Sequence, residues 1–158
     1  MYRSPPPIDP PTATALKLWV VLNRASAALA AHARANITTH DLTVTEFAIL
    51  DALHHKGPML LGEVQKKVLV SSGGTTFLID KLEKRGLVRR APCASDRRAR
   101  YAELTPAGSK LVADIFPAHA EVIRRAMSGL GLADQRLLTA LLKTLGTEAA
   151  ALELKSKP

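Results

Sequence analysis

The chain has 158 residues, 47% of them apolar and only 4% aromatic, enough for one sizeable core. Its wealth of Leu and Ala points to packed helices rather than a β-sandwich. A net charge of +8 and an isoelectric point near 10.0 fit a polyanionic partner, and the one cysteine, Cys93, excludes an intrachain disulfide and fits a reducing compartment. No apolar run approaches the ~20 residues a membrane helix needs, because Lys17, Asn23, Arg24 and His32 interrupt the longest, 16–33. Ser4-Pro5-Pro6-Pro7 stands where a secretory leader would be apolar. A cytoplasmic protein without a membrane partner is expected.

Residues 1–12 hold five of the ten prolines and read as an extended arm. Thr12 or Thr14 can cap a first helix running to about Asn36. That helix carries Leu16, Trp19, Val20, Leu22, Ala27, Leu29 and Ala30 on more than one side, so several neighbours or another subunit should bury it. Thr43-Val44-Thr45-Glu46 fits a capping box that opens a helix with Phe47, Leu50 and Leu53, ending at Gly57-Pro58. A short helix follows, with Leu61, Val64 and Val68 inward and Lys66 and Lys67 outward.

Ser71-Ser72-Gly73-Gly74-Thr75-Thr76 opens the next helix, with Leu78 and Leu82 toward the core and Gly86 as its left-handed terminator. Residues 87–90 and 101–104 are short strands, separated by Pro92 and a charged loop over 95–100. Thr105-Pro106 starts a further helix by the rule that favours proline at the first helical position. Leu111, Ile115, Val122 and Ile123 line it, and Pro117 should kink it. A last helix opens at Gly131-Leu132-Ala133-Asp134 and carries Leu137, Leu138, Leu141, Leu142 and Leu145.

This order of helix, turn, glycine-opened helix, strand, basic tip and strand describes a mainly α fold with a small β-hairpin wing. It is a winged helix-turn-helix over 41–105, flanked by an N-terminal helix over 13–40 and C-terminal helices over 106–154. The flanking helices are expected to form a homodimer, which would present two reader modules to a pseudo-palindromic site on double-stranded DNA.

The chemistry fits that shape. Residues 81–100 hold eight basic residues against two acidic ones, six of the chain's eight net positive charges. Ser71 and Ser72 can cap the second helix and donate to phosphates, while Gly73 and Gly74 let backbone amides approach DNA. Thr75 and Thr76 offer hydroxyl and methyl groups suited to base edges, and Lys81 adds charge. At the loop tip Arg97, Arg98 and Arg100 suit a minor groove, with Asp96 orienting Arg98 by a bidentate pair. Helix capping alone is a poor account of two first-turn glycines, which cost ~1 kcal/mol each against alanine.

Three stretches carry a family resemblance: 80–88 (Asp-Lys-Leu-Glu-Lys-Arg-Gly-Leu-Val), Asp96-Arg97-Arg98, and Leu104-Thr105-Pro106-Ala107-Gly108. Together they resemble the MarR family of bacterial transcriptional regulators. Arg89-Arg90-Ala91-Pro92-Cys93 and Phe116-Pro117-Ala118-His119-Ala120-Glu121 resemble its MhqR-like branch, which answers quinones and aromatic compounds. The resemblance implies an obligate homodimer that represses by binding an operator and is released by a small aromatic or phenolic ligand, a quinone or another oxidant.

An effector site is expected where the first helix, the Phe47 helix and the Pro117 helix meet, with Trp19, Asn23, His32, Phe47 and His55 lining it; the alternative places Trp19 and Phe47 in the core. Cys93 is either a thiol sensor activated by nearby arginines or a small residue ending a strand. His54 and His55 are neighbours and point ~100° apart on a helix, so a metal site would need assembly between helices with Glu46 or Asp51. No metal and no cofactor is expected. No nucleophile triad, phosphate loop or carboxylate pair points to an enzyme. The competing class is a nonspecific, architectural DNA-binding protein, for which charge alone suffices.

Overall fold

The computed structural model describes residues 8–68, 72–93 and 99–152. The chain divides into two compact units, Met1–Ile123 and Arg124–Pro158.

The first unit opens with α1 (Pro10–Ile37), about one turn earlier, in the proline run, than a threonine cap would put it. Asp9 is the N-cap: its Oδ1 accepts from the Thr12 N–H at 3.0 Å, and Pro10 and Pro11 fill the first helical positions. Residues 10–12 are thus helix rather than arm. Proline fits there because the first helical N–H groups have no partner to lose. Among the residues of α1 only Ile37 is buried, so its apolar sides are not covered by neighbours in this unit. A single 3₁₀ turn, Thr38–His40, leads to Asp41, which sits in the left-handed region at φ 55°.

The capping box before α2 (Val44–Lys56) is formed as expected. The Glu46 N–H donates to the Thr43 hydroxyl at 3.1 Å, and the Thr43 N–H donates to Glu46 Oε2 at 2.7 Å. Strand β1 (Met59–Leu60) follows, then α3 (Leu61–Val68), α4 (Ser72–Lys84), β2 (Val88–Pro92), β3 (Arg100–Leu104) and α5 (Pro106–Ala126). The three strands form an antiparallel sheet in the order β1-β3-β2, with Met59 opposite Ala102 and Arg89 opposite Glu103. The two-residue β1 is an addition to the expected hairpin. The α5 helix runs through Pro117 without a break.

The core of this unit lies between α2, α3, α4 and the sheet, around Ile49, Leu50, Val64, Ile79, Leu82 and Ala102, all fully buried. Each large aliphatic side chain buried there contributes about 1.5–3 kcal/mol. Two turns fix the geometry between α4 and the sheet. Gly86, at φ 69°, ends α4 in a Schellman arrangement: its N–H reaches the Glu83 carbonyl and the Leu87 N–H reaches Leu82. Thr105 then ties the start of α5 back to that turn. Its N–H donates to the Leu87 carbonyl at 3.1 Å and its hydroxyl donates to the Gly86 carbonyl at 2.6 Å.

The second unit contains α6 (Leu132–Ala151), with Gly131 at its N-cap. Leu137, Leu138, Leu141, Leu142 and Leu145 share a stripe about 140° wide at 100° per residue, and all five are exposed. Among the described residues no helix is long and apolar enough to cross a membrane.

Candidate nucleic-acid interface

The α4 helix buries Thr75, Ile79 and Leu82 along one side and exposes Gly73, Thr76, Phe77, Lys81 and Lys84 on the other. Its phase departs from the expected one. Leu78 is only half-buried, and Ile79 fills the core in its place. That rotation carries Thr75 inward to 2% exposure, so Thr75 packs in the core and drops out of the expected base-reading set. It also turns Phe77 outward, a residue that spacing alone did not single out.

Of the other expected contacts, Thr76 and Gly73 face solvent and Gly74 is half-buried. A Cβ built on Gly73 would meet nothing within 4 Å, so the chain's own packing does not require a glycine there. Ser72 is the first residue of α4. Ser71, Asp96, Arg97 and Arg98 lie outside the described residues, so the Asp96–Arg98 pair does too. Arg100 opens β3 and is exposed, its Nη1 donating to the Ala99 carbonyl at 2.9 Å.

The basic window is less free than its composition suggests. Lys81 Nζ lies 2.7 Å from Glu46 Oε1, and that carboxylate is fully buried. Arg90 reaches two acids of α4, Asp80 at 2.6 Å and Glu83 at 2.5 Å. Arg89 pairs across the hairpin with Glu103, and Arg85 Nη1 donates to the Asp41 carbonyl at 2.8 Å. Lys81, Arg85, Arg89 and Arg90 therefore hold the fold together. Together they pin α4 to α2, to β2 and to the turn after α1. Sequence counting missed this because three of the acids, Glu46, Asp80 and Glu103, lie outside residues 81–100.

Two pKa shifts follow from these contacts. Burial raises the Glu46 carboxyl, but the bonds from Lys81 and Thr43 outweigh it and leave the net value below the ordinary 4.5. Burial likewise works against the Arg90 charge, and the Asp80 and Glu83 carboxylates more than offset it, so Arg90 is raised. A group with a depressed folded pKa adds stability above its unfolded value and loses it as pH falls through the folded one. Urea denaturation from pH 6 to pH 3 should therefore show a steeper loss below about pH 4.5 for the native chain than for Glu46→Gln. Parallel profiles would refute the Glu46 assignment.

The five expected effector residues do not converge. Trp19, Asn23 and His32 are exposed on α1, Trp19 at 64%, and Asn23 Nδ2 donates to the Trp19 carbonyl at 2.7 Å. Phe47 and His55 of α2 belong to a different cluster. The Phe47 ring meets His119 of α5 edge-on at 4.9 Å, and His55 meets Phe116 at 5.2 Å. His119 Nδ1 lies 3.1 Å from Asn36 Oδ1, bringing in the end of α1. His55 Nδ1 also lies 3.2 Å from Asp51. Burial lowers the His119 imidazole below 6.5, against the opposing pull of Asp51. The expected meeting of three helices is therefore present, but Asn36, Phe116 and His119 replace Trp19, Asn23 and His32 in it.

Cys93 is buried just after β2, its N–H facing the Ala99 carbonyl at 3.4 Å. Its thiol neighbours Tyr101, whose phenol is pushed above 10.0 by the hydrogen bond with Cys93. Among the described residues no group of three His, Cys, Asp or Glu side chains could hold a metal ion.

A family model described as the MarR family matches residues 42–99, the span from α2 to the wing. The HTH-type transcriptional regulator MhqR of Bacillus subtilis is 39% identical over 138 residues, covering 87% of this chain and 95% of MhqR. This chain belongs to the MarR family. It is a DNA-binding transcriptional regulator rather than an enzyme, and the likeness to MhqR agrees with the branch its motifs resemble. Among solved structures, BpsR of Bordetella bronchiseptica superposes with a TM-score of 0.74 at 26% identity, over 82% of this chain and 92% of BpsR. That structure concerns regulation of BpsR's DNA binding by 6-hydroxynicotinic acid. Sco3205 of Streptomyces coelicolor, crystallised with DNA, shares the fold at a TM-score of 0.79 and 22% identity, over 91% of each chain.

Proposed function

We propose that this MarR-family chain is a homodimeric repressor that places α4 in the major groove of a pseudo-palindromic operator and is released by a small aromatic ligand. The observation that carries the reading is the outward face of α4, where Gly73, Thr76 and Lys84 stand exposed while internal ion pairs hold the helix in place. Ser72 and Gly74 add to the opening of that helix and Arg100 adds charge at the start of β3, while the expected contributions of Ser71, Asp96, Arg97 and Arg98 concern residues outside those described. DNA in the Sco3205 crystal supports the same use of the fold.

Dimerisation is supported by apolar surface that a lone chain leaves wet: Leu18, Trp19 and Val21 on α1, and the five-leucine stripe on α6. In sequence, the reader over 41–105 lies between these helical segments. For release, the Asn36, Phe47, Phe116 and His119 cluster offers aromatic faces beside polar groups, as a planar aromatic acid or phenol needs. The 6-hydroxynicotinic acid that regulates BpsR is of that class. Oxidant release through Cys93 is the lesser reading, because that residue is only 9% exposed.

Fluorescence anisotropy with the intergenic DNA beside its own gene, against scrambled competitor at fixed salt, tests the reading. Specific binding by a dimer in sedimentation, weakened by a phenolic acid, is expected. Equal affinity for scrambled DNA would move the chain to the architectural class.

A further inference from the structure

We propose that Phe77 is a sequence-reading residue of α4, packing its ring on the 5-methyl group of a thymine in the major groove. The proposal rests on α4 being the helix that enters DNA. Phe77 is 67% exposed, more than any other phenylalanine among the described residues, and it is not a member of the hydrophobic core cluster. At helical spacing it shares a face with Gly73 one turn before it, Asp80 and Lys81 one turn after it, and Lys84 two turns after it. A ring this exposed leaves most of its apolar surface to water, which is a poor partner for it.

The setting selects the occupant. Gly73 carries no side chain toward the groove and a Cβ there would meet nothing, so the backbone at the start of α4 can come close to a base edge. Lys84, seven residues on, supplies charge for a flanking phosphate. Asp80, the acid on this face, is half-exposed but paired with Arg90 at 2.6 Å, so its charge is offset within the chain. An apolar ring between a glycine and lysines complements the thymine methyl, the one apolar group on the major-groove edge of the base pairs. A second protein copy would gain less, because the surrounding cations would face one another.

The test is a cycle that changes both partners. The sequence protected by the native protein is first mapped on the intergenic DNA. Each protected thymine is then replaced by deoxyuridine, which removes only the methyl group. For the native protein, at least one replacement should weaken binding about fivefold. For Phe77→Ala the same replacement should cost less than about twofold, with the melting temperature and sedimentation unchanged. An undiminished methyl penalty in Phe77→Ala at every position would overturn the proposal while leaving the α4 reading intact. Dissociation of Phe77→Ala into monomers would also overturn it, making the face a contact between copies. If the native protein does not prefer this DNA over scrambled sequence, the α4 reading and the Phe77 proposal both fall.

Discussion

Gly108→Ala is expected to destabilise the chain by about 3 kcal/mol, read as a fall in urea midpoint at unchanged slope. A Cβ at residue 108 would stand 2.0 Å from the Leu87 carbonyl oxygen, 2.9 Å from its carbon and 3.2 Å from Leu104 Cδ2. Ordinary contact begins near 3.4 Å, and the obstacle is backbone rather than a side chain that can swing aside. That oxygen already accepts the Thr105 N–H, and Leu87 closes the Schellman turn that ends α4. The first turn of α5 would have to lift away and stretch the Thr105 bonds to Gly86 and Leu87. Since this turn sets how β2 leaves α4, operator binding should fall with stability. Gly73→Ala is the control: with open space around it, stability should hold or rise, by up to ~1 kcal/mol from helix propensity. A stability loss within about 0.5 kcal/mol for Gly108→Ala would mean that α5 does not pack this closely.

The order of elements was legible because each boundary carries its own local chemistry. Thr43 with Glu46, Gly57, Gly86 and Thr105-Pro106 act within three or four residues, and all four act as their spacing implies. Asp9-Pro10-Pro11 carried the same kind of signal, but the proline run around it read as an arm. The face of α4 was harder. Phe77, Leu78, Ile79 and Leu82 allow two helical phases, and only packing against α3 and the sheet selects the one that buries Thr75 and Ile79. Charge was misjudged for the same reason. Glu46 and Glu103 are far from the basic window in sequence, and the fold brings them onto Lys81 and Arg89. In the effector set, Trp19 lies seventeen residues before Asn36, about 25 Å along one helix. It cannot share a small site with Phe47 in the same chain.

Arg90→Ala and Lys84→Ala should separate positioning cations from phosphate-binding ones. Both remove one positive charge from the reader, so composition predicts the same result for each. The contacts predict different ones. Arg90 is committed to Asp80 and Glu83, and its loss leaves two carboxylates on or beside the DNA face without their partner. It also frees β2 from α4, so the wing and the recognition helix no longer hold a common register. Operator affinity should fall by about 2 kcal/mol, roughly 30-fold, from lost geometry and new repulsion. The salt slope should change by clearly less than the one unit that a lost phosphate contact gives, because no phosphate contact has been removed. Lys84 is exposed on the outward face of α4. Its loss should weaken specific and scrambled DNA alike and reduce the slope of log affinity against log salt by about one. Titrations from about 50 to 200 mM salt give both quantities for each variant. A slope lowered by one for Arg90→Ala would make it a phosphate ligand, and its bonds to Asp80 and Glu83 would then have to open when DNA binds.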